Sequence, residues 1–244
     1  LRFKKNMPYN LSLVLPCYNE EKNIAFLCNE FLNLSFNDIK AELILVNNGS
    51  DDNTKNEIEE AIKNNKSENV TIKLVDIKMN KGYGGGIAEG LKNTSGEFIG
   101  WAHADLQTPL ADFLKLYHII KNKKNILGKG FRTNNRGFDG IVSRLHEKLA
   151  SLILGIKMRE VNAQPKIFNR EMMKYFTNMP HKWTTIDTYV MYMSLKNDVE
   201  IKDINVVFNT RKFGQSKWKN NFKSFITHII FNVLYLFKLR FTKN

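Results

Sequence analysis

Four times in its first 110 residues the chain repeats one unit: a short apolar run, a polar or glycine-rich break, then apolar residues at helical spacing. The runs are residues 11–16, 42–46, 70–75 and 96–102. Short apolar runs bounded by turn signals read as buried strands. The patterns between them, with Ile24, Leu27, Phe31 and Leu34 and then Ile58 and Ile62, read as amphipathic helices. This alternation predicts an α/β fold, a mostly parallel sheet with helices on both faces. Ligands of such sheets bind at the carboxyl ends of the strands, so the breaks are where chemistry is expected.

The first break, Tyr18-Asn19-Glu20-Glu21, offers Asn19 as an N-cap. The richest break follows the fourth run. His103, Asp105 and Gln107 stand at alternate positions, and extended chain would turn all three to one side. Thr108 and Pro109 then suit the N-cap and first position of a helix. Asp105 is the best single metal ligand in the chain, because a hard cation takes carboxylate oxygens and completes its shell from substrate phosphates. A helix-capping role explains a lone aspartate equally well. Gly84-Gly85-Gly86 could admit a phosphate to the backbone, but the Gly-Lys-Ser/Thr ending of a P-loop is missing, and a tight helix entry fits as well.

Beyond residue 110 the chain reads as a helix (110–120), a strand (126–131) ending in Lys129, Arg132 and Arg136, and a helix (141–156) with Leu145, Leu149, Leu152 and Ile153 along one side. An irregular or strand-like piece (161–168) follows, then a helix from Thr185-Ile186-Asp187, a strand (204–208) and a basic loop (211–218). Arg132, Arg144, Arg211 and Lys217 fall near loop or helix starts on the binding edge. Guanidinium groups take phosphate oxygens bidentately. An aspartate-held cation beside several arginines suits a diphosphate leaving group; taken singly, each basic residue is also an ordinary surface charge.

The formal net charge of +13 favours anionic partners, though a Lys- and Asn-rich composition accounts for part of it. No nucleic-acid reader module is recognisable, so nucleic acid is not an expected partner. Cys17 and Cys28 form neither a disulfide framework nor a zinc spacing, which makes a reduced, cytoplasmic setting the default expectation. The first six residues lack a signal-peptide pattern, and Met7 is a candidate start. The last segment carries Phe222, Phe225, Ile226, Ile229, Ile230, Val233, Leu234, Phe237 and Phe241 as one apolar stripe, flanked by Lys219, Lys223, Lys238, Arg240 and Lys243. It is too interrupted for a membrane span, which needs about 20 mostly apolar residues. A helix lying on an anionic membrane surface is expected, against a helix docked on the chain's own core or a homo-oligomer contact. The expected division is a domain over 7–218 and a helix over 219–244.

The order of motifs resembles glycosyltransferase family 2, in its dolichol-phosphate mannose synthase-like, polyprenyl-phosphate branch. The resemblance rests on Leu15-Pro16-Cys17-Tyr18-Asn19-Glu20, Asn47-Asn48-Gly49-Ser50-Asp51-Asp52-Asn53-Thr54, Asn80-Lys81-Gly82 and Ala104-Asp105-Leu106-Gln107. Gly130-Phe131-Arg132, the Asp187 helix, and Arg211 with Gly214, Ser216 and Lys217 extend it over about 11–218. It implies a GT-A fold, a nucleotide-sugar donor (a UDP- or GDP-hexose) and a divalent cation, Mg2+ or Mn2+. Pro16, Tyr18, Glu20, Asn48, Lys81, Ala104, Gln107 and Lys217 would then bind the donor. Asp105, with Gln107 and His103, would hold the metal. Asp105, Asp187 and Arg211 would be catalytic, and Arg132, Arg144 and Ser216 would receive the acceptor phosphate. The chain departs from the pattern at His103, where an aspartate is usual, at Asn47 and Asn48, usually two aspartates, and around Asn162-Ala163-Gln164-Pro165. Imidazole would favour a softer metal.

The implied reaction is inverting transfer of a hexose to a membrane lipid phosphate, on the inner face of the cell membrane. A glycan or glycerolipid hydroxyl as acceptor, or a catalytically weakened nucleotide-sugar binder, are the alternatives.

Overall fold

The computed structural model describes residues 7–134, 137–181, 185–213 and 222–242, with the side chains of 138 and 222–225 left aside. Its strands are β1 (Tyr9–Cys17), β2 (Ala41–Asn48), β3 (Val70–Ile77), β4 (Gly96–Trp101), β5 (Ile126–Arg132), β6 (Lys166–Asn169) and β7 (Glu200–Val206). The α-helices are α1 (Glu21–Leu32), α2 (Thr54–Asn64), α3 (Gly82–Lys92), α4 (Ala111–Ile120), α5 (Gly137–Leu154), α6 (Thr185–Lys196) and α7 (Phe222–Phe241), with a 3-10 helix at Arg170–Tyr175.

The strands form one sheet in the order β3-β2-β1-β4-β6-β5-β7. β6 runs antiparallel to both β4 and β5, and the other pairings are parallel. Strand alternation divides the core in two. Leu11, Leu13, Leu15, Leu43 and Leu45 face Ile24, Phe31, Ile58 and Phe113 of α1, α2 and α4. Val14, Ile44 and Val46 face Ile87, Ala150, Val190 and Leu236 of α3, α5, α6 and α7. Both faces are covered, as the continuous apolar runs require.

Several local expectations change. β4 stops at Trp101, so 103–107 is not extended strand. Leu106 adopts φ 59, left-handed backbone that breaks the alternation expected between Asp105 and Gln107. Helix α4 starts at Ala111 instead of Pro109; its entry is fixed by the Leu110 N–H donating to Glu30 Oε1 (2.6 Å), while the Thr108 hydroxyl is buried without a partner. Asn19 does not cap α1. The Glu21 N–H donates to Asp52 Oδ2 (3.2 Å) from the next loop, and Asn19 accepts from the Asp51 N–H (2.9 Å). The glycines 84–86 lie inside α3. Gly86 and Gly90 let the helix sit close on the sheet: a Cβ at Gly90 would lie 2.2 Å from Val14 Cγ1.

The two long helices near the C-terminus, α5 and α7, each bury a narrow face and expose apolar residues on another. In α5, Ala150 and Leu154 are buried, with Leu149 and Ile153 packed on them, while Ile141, Leu145 and Leu152 are exposed. In α7 the buried residues are Asn232, Leu236 and Leu239. Of the predicted stripe, Ile226, Ile229, Ile230, Leu234, Phe237 and Phe241 are exposed, as a surface-lying helix requires. α7 packs on α5 and α6. The Arg240 guanidinium donates to Leu154 O (2.7 Å), placing a cation on the carbonyl end of α5. Among the described residues no helix is long and apolar enough to cross a membrane.

Candidate active site

The ends of β1, β2 and β4, the start of antiparallel β6 and the segment after β7 meet at one edge of the sheet. The first two loops are tied together. The Asn19 N–H donates to Ser50 Oγ (3.1 Å), the Glu20 N–H to Thr54 Oγ1 (2.9 Å) and the Asn53 N–H to Glu21 Oε2 (3.0 Å). Asn19 itself takes φ 57, a conformation asparagine tolerates. These bonds hold Tyr18 and Glu20 at the rim. Pro16 sits beside them, its Cβ 3.0 Å from where a side chain on Gly86 would lie.

Both asparagines that replace aspartates use their amide nitrogens. Asn47 Nδ2 donates to Asp76 Oδ1 (2.8 Å), and Asn48 Nδ2 donates to Gly82 O (2.9 Å). A carboxylate at either place would meet an acceptor with an acceptor. Asn48 Oδ1 also accepts from the Lys81 N–H (3.1 Å), so its side chain joins β2 to the start of α3. The Lys81 ammonium lies back along α3 on Glu89 (3.0 Å).

Asp105 is 5% exposed. Its Oδ1 accepts from the Gln107 N–H (3.2 Å) and its Oδ2 lies 3.0 Å from Arg211 Nη2. Ala104 before it is buried. The Gln107 amide donates to Asn209 O and the Asn209 N–H to Gln107 O, both at 2.8 Å. The chain after β7 is therefore strapped across the β4 loop. Further on, the Lys212 ammonium stands 3.9 Å over the Phe26 ring and Phe213 stacks on the same ring. Lys217 and Ser216 lie outside the described residues. The His103 ring lies between Tyr83 (5.3 Å) and Phe208 (6.4 Å). Burial pushes its pKa down, against the pull of Asp105 and Asp187, so it is a neutral imidazole at pH 7.

Asp187, at the start of α6, is 1% exposed. Its Oδ1 accepts from Lys166 Nζ (2.6 Å), Gln164 Nε2 (2.9 Å) and Trp101 Nε1 (3.3 Å). Burial lowers the Lys166 ammonium to about 8, with Asp187 opposing. Arg132, at the end of β5, pairs through Nε with Glu160 Oε2 (2.5 Å), and its Nη2 is buried without a hydrogen-bond partner. Arg144 is exposed on α5. The structure thus joins Asp105 to Arg211 and encloses Asp187, while Lys81 turns back onto Glu89 and Arg144 is exposed on α5.

The donor set bears on a metal. Among the described residues no three His, Cys, Asp or Glu side chains converge to form a cage. One carboxylate, Asp105, with the Gln107 amide and His103 imidazole on the same loop, fits a cation that takes its remaining oxygens from a bound diphosphate. Lys166, Tyr83, Glu160 and Phe26 were not singled out from the sequence. Only Lys166 carried a signal, a lysine heading an apolar strand.

The sheet thus carries a carboxylate, an arginine and a polar strap at its carboxyl edge, where α/β sheets bind their ligands. Glycosyl transferase family 2 matches residues 12–195, and the chain belongs to that family. It is 28% identical over 218 residues to a dolichyl-phosphate beta-glucosyltransferase of Dictyostelium discoideum, covering 80% of this chain and 65% of that protein. It is 25% identical over 218 residues to an undecaprenyl-phosphate 4-deoxy-4-formamido-L-arabinose transferase of Yersinia pestis (strain Pestoides F), covering 85% and 62%. The chain thus spans less than two thirds of the length of these relatives. Its fold matches a mannosyltransferase from Pyrobaculum calidifontis solved with GDP-Man and Mn2+, with TM-score 0.69, 15% identity, and coverage of 96% of this chain and 65% of that one. The fold is GT-A.

Proposed function

We propose that this chain transfers a hexose from a nucleotide-sugar to the phosphate of a polyprenyl lipid, inverting the anomeric centre, at a membrane surface. The observation that carries the reading is the Asp105–Arg211 pair at the carboxyl edge of the sheet. A carboxylate and a guanidinium held 3.0 Å apart present the two groups a metal–diphosphate requires, one for the cation and one for phosphate oxygens. The names of the relatives, and of the structure holding GDP-Man and Mn2+, support the same donor and acceptor classes.

Asp105, with Gln107 and His103, would hold the divalent cation, which supplies positive charge against the departing diphosphate. Arg211 moves from the carboxylate to the phosphates. Pro16, Tyr18 and Glu20 line the donor pocket and Asn48 sets its floor. Arg132, with a buried nitrogen unpartnered, and Arg144 take the lipid phosphate. A phosphate oxygen attacks the anomeric carbon as the bond to the nucleoside diphosphate breaks, and the electron pair leaves with that diphosphate. The nucleophile is already ionised near neutral pH, so catalysis rests on positioning and charge stabilisation. Asp187, enclosed by donors, orients and does not abstract a proton.

Residues 7–218 form the catalytic unit in this reading, and 219–244 contribute the membrane helix. The outward faces of α5 and α7 support a bilayer contact, with Leu152 80% and Phe241 78% exposed among Arg144, Lys148 and Lys238. The enzyme would then sit peripherally on the inner face of the membrane.

Asp105→Ala tests the site. With UDP-glucose or GDP-mannose, Mn2+ and undecaprenyl phosphate in micelles, turnover should fall at least about 1000-fold, and the rise in melting temperature expected of the parent chain with donor and Mn2+ should vanish. Undiminished transfer by that variant would sink the assignment. Transfer to a glycerolipid hydroxyl but not to the lipid phosphate would replace the acceptor.

A further inference from the structure

We propose that Lys166 is the positioning residue of the site: its buried ammonium fixes the direction of the Asp187 carboxylate. This rests on the orienting role given to Asp187 above. Lys166 heads β6 and pairs in register with Trp101 of β4 and Lys129 of β5. It is fully buried, and its Nζ reaches Asp187 Oδ1 at 2.6 Å and Ala163 O at 2.9 Å. Neither charge is tolerable alone at that depth, because an unpaired buried ion shifts to its neutral form.

Stability does not explain such a pair. A buried ion pair replaced by packed apolar groups is often as stable or more so. The geometry explains it better. Lys166 comes from β6, Gln164 from the loop before it and Trp101 from β4, and all three donate to the same oxygen of Asp187. With Oδ1 saturated, the carboxylate is held against rotation. Tyr83 is the next contact. Its hydroxyl accepts from Gln164 Nε2 (2.9 Å) and borders Asp187, and its ring lies on His103. The row Lys166–Asp187–Tyr83–His103 runs from the core to the loop that bears Asp105. Removing the ammonium would free the carboxylate to turn and shift that row, while the donor-binding loops keep their own hydrogen bonds.

The test is a double-mutant cycle on the full chain with Lys166→Met, Asp187→Asn and the double variant. Rates are measured with UDP-glucose or GDP-mannose, Mn2+ and undecaprenyl phosphate, and folding is followed by circular dichroism. Lys166→Met should lower kcat about 100-fold, the cost of a small misplacement, with the donor KM within about threefold. In the Asp187→Asn background the same change should cost less than about threefold, because Lys166 acts through Asp187. Equal losses in both backgrounds, or full kcat in Lys166→Met, would overturn the inference. If Lys166→Met alone does not fold, the neutral double variant removes the unpaired carboxylate. Its rate relative to Asp187→Asn then decides: a match supports the inference and a further tenfold loss overturns it. Two other results strike the underlying reading and are distinct from these: no transfer by the parent chain overturns the reaction, and full activity of Asp187→Asn overturns the role of that residue.

Discussion

Glu20 shows how the rim sets the chemistry of a single residue. Burial raises its carboxyl to about 7, although Asn23 and Arg211 draw it down. The native state therefore holds this proton more tightly than the unfolded chain does. The associated stability is complete below about pH 4.5, the ordinary value, and is lost as pH rises through 7. Glu20→Gln, which cannot ionise, should raise the urea midpoint over the parent at pH 8, and by much less at pH 5. The same increment at both pH values would mean that burial does not perturb the carboxyl. At this scale the motifs pointed to Asp105 and Arg211, which the fold pairs, and to Asp187, which it buries, but also to Lys81, whose ammonium lies on Glu89. The sequence was not legible for Glu160 or Phe26, whose partners Arg132 and Phe213 lie 28 and 187 positions away and meet them only through the fold. The asparagines 47 and 48 read as lost charge in the sequence; in the structure each is the donor its neighbour needs.

The elements were legible in kind, less so in orientation. Apolar runs placed β1 to β5, of which β1, β2 and β4 are almost wholly buried; β6 falls at the end of the piece read as irregular or strand-like, and β7 begins four residues before the predicted strand because its first half, Glu200–Asp203, is mostly polar and largely exposed. Periodicity identifies the apolar stripe of α7 that faces outward but not the narrower face by which the helix docks, Asn232, Leu236 and Leu239. The glycines of α3 carry the opposite lesson. In the sequence Gly84-Gly85-Gly86 read as a phosphate approach or a tight helix entry, and glycine inside a helix disfavours it by about 1 kcal/mol. Here close packing outweighs that cost, for a Cβ at Gly90 would fall 2.2 Å from Val14 and 2.9 Å from Val46. Gly90→Ala should therefore destabilise the chain by about 1–3 kcal/mol, despite alanine's better helix propensity. Chemical denaturation reads this directly; a stabilised variant would show that α3 has room to shift.

For the whole molecule, charge and apolar surface act together. The formal net charge is +13, and the exposed apolar residues of α5 and α7 lie among Arg144, Lys148 and Lys238. Basic residues near an anionic surface contribute about 1 kcal/mol each, and salt screens them within a Debye length of about 10 Å at 0.1 M. Buried apolar area is indifferent to screening. The two contributions are therefore separable. Binding to vesicles with one part phosphatidylglycerol in three should weaken at least about tenfold between 50 and 500 mM NaCl, and binding to pure phosphatidylcholine should be weak at both. Ile230→Asp with Leu234→Asp, both on the outward face of α7, should reduce binding at every salt concentration without altering the melting temperature. Retained binding in that variant would move the contact elsewhere on the molecule. Binding lost together with the fold would show instead that these residues support the packing of α7 on α5.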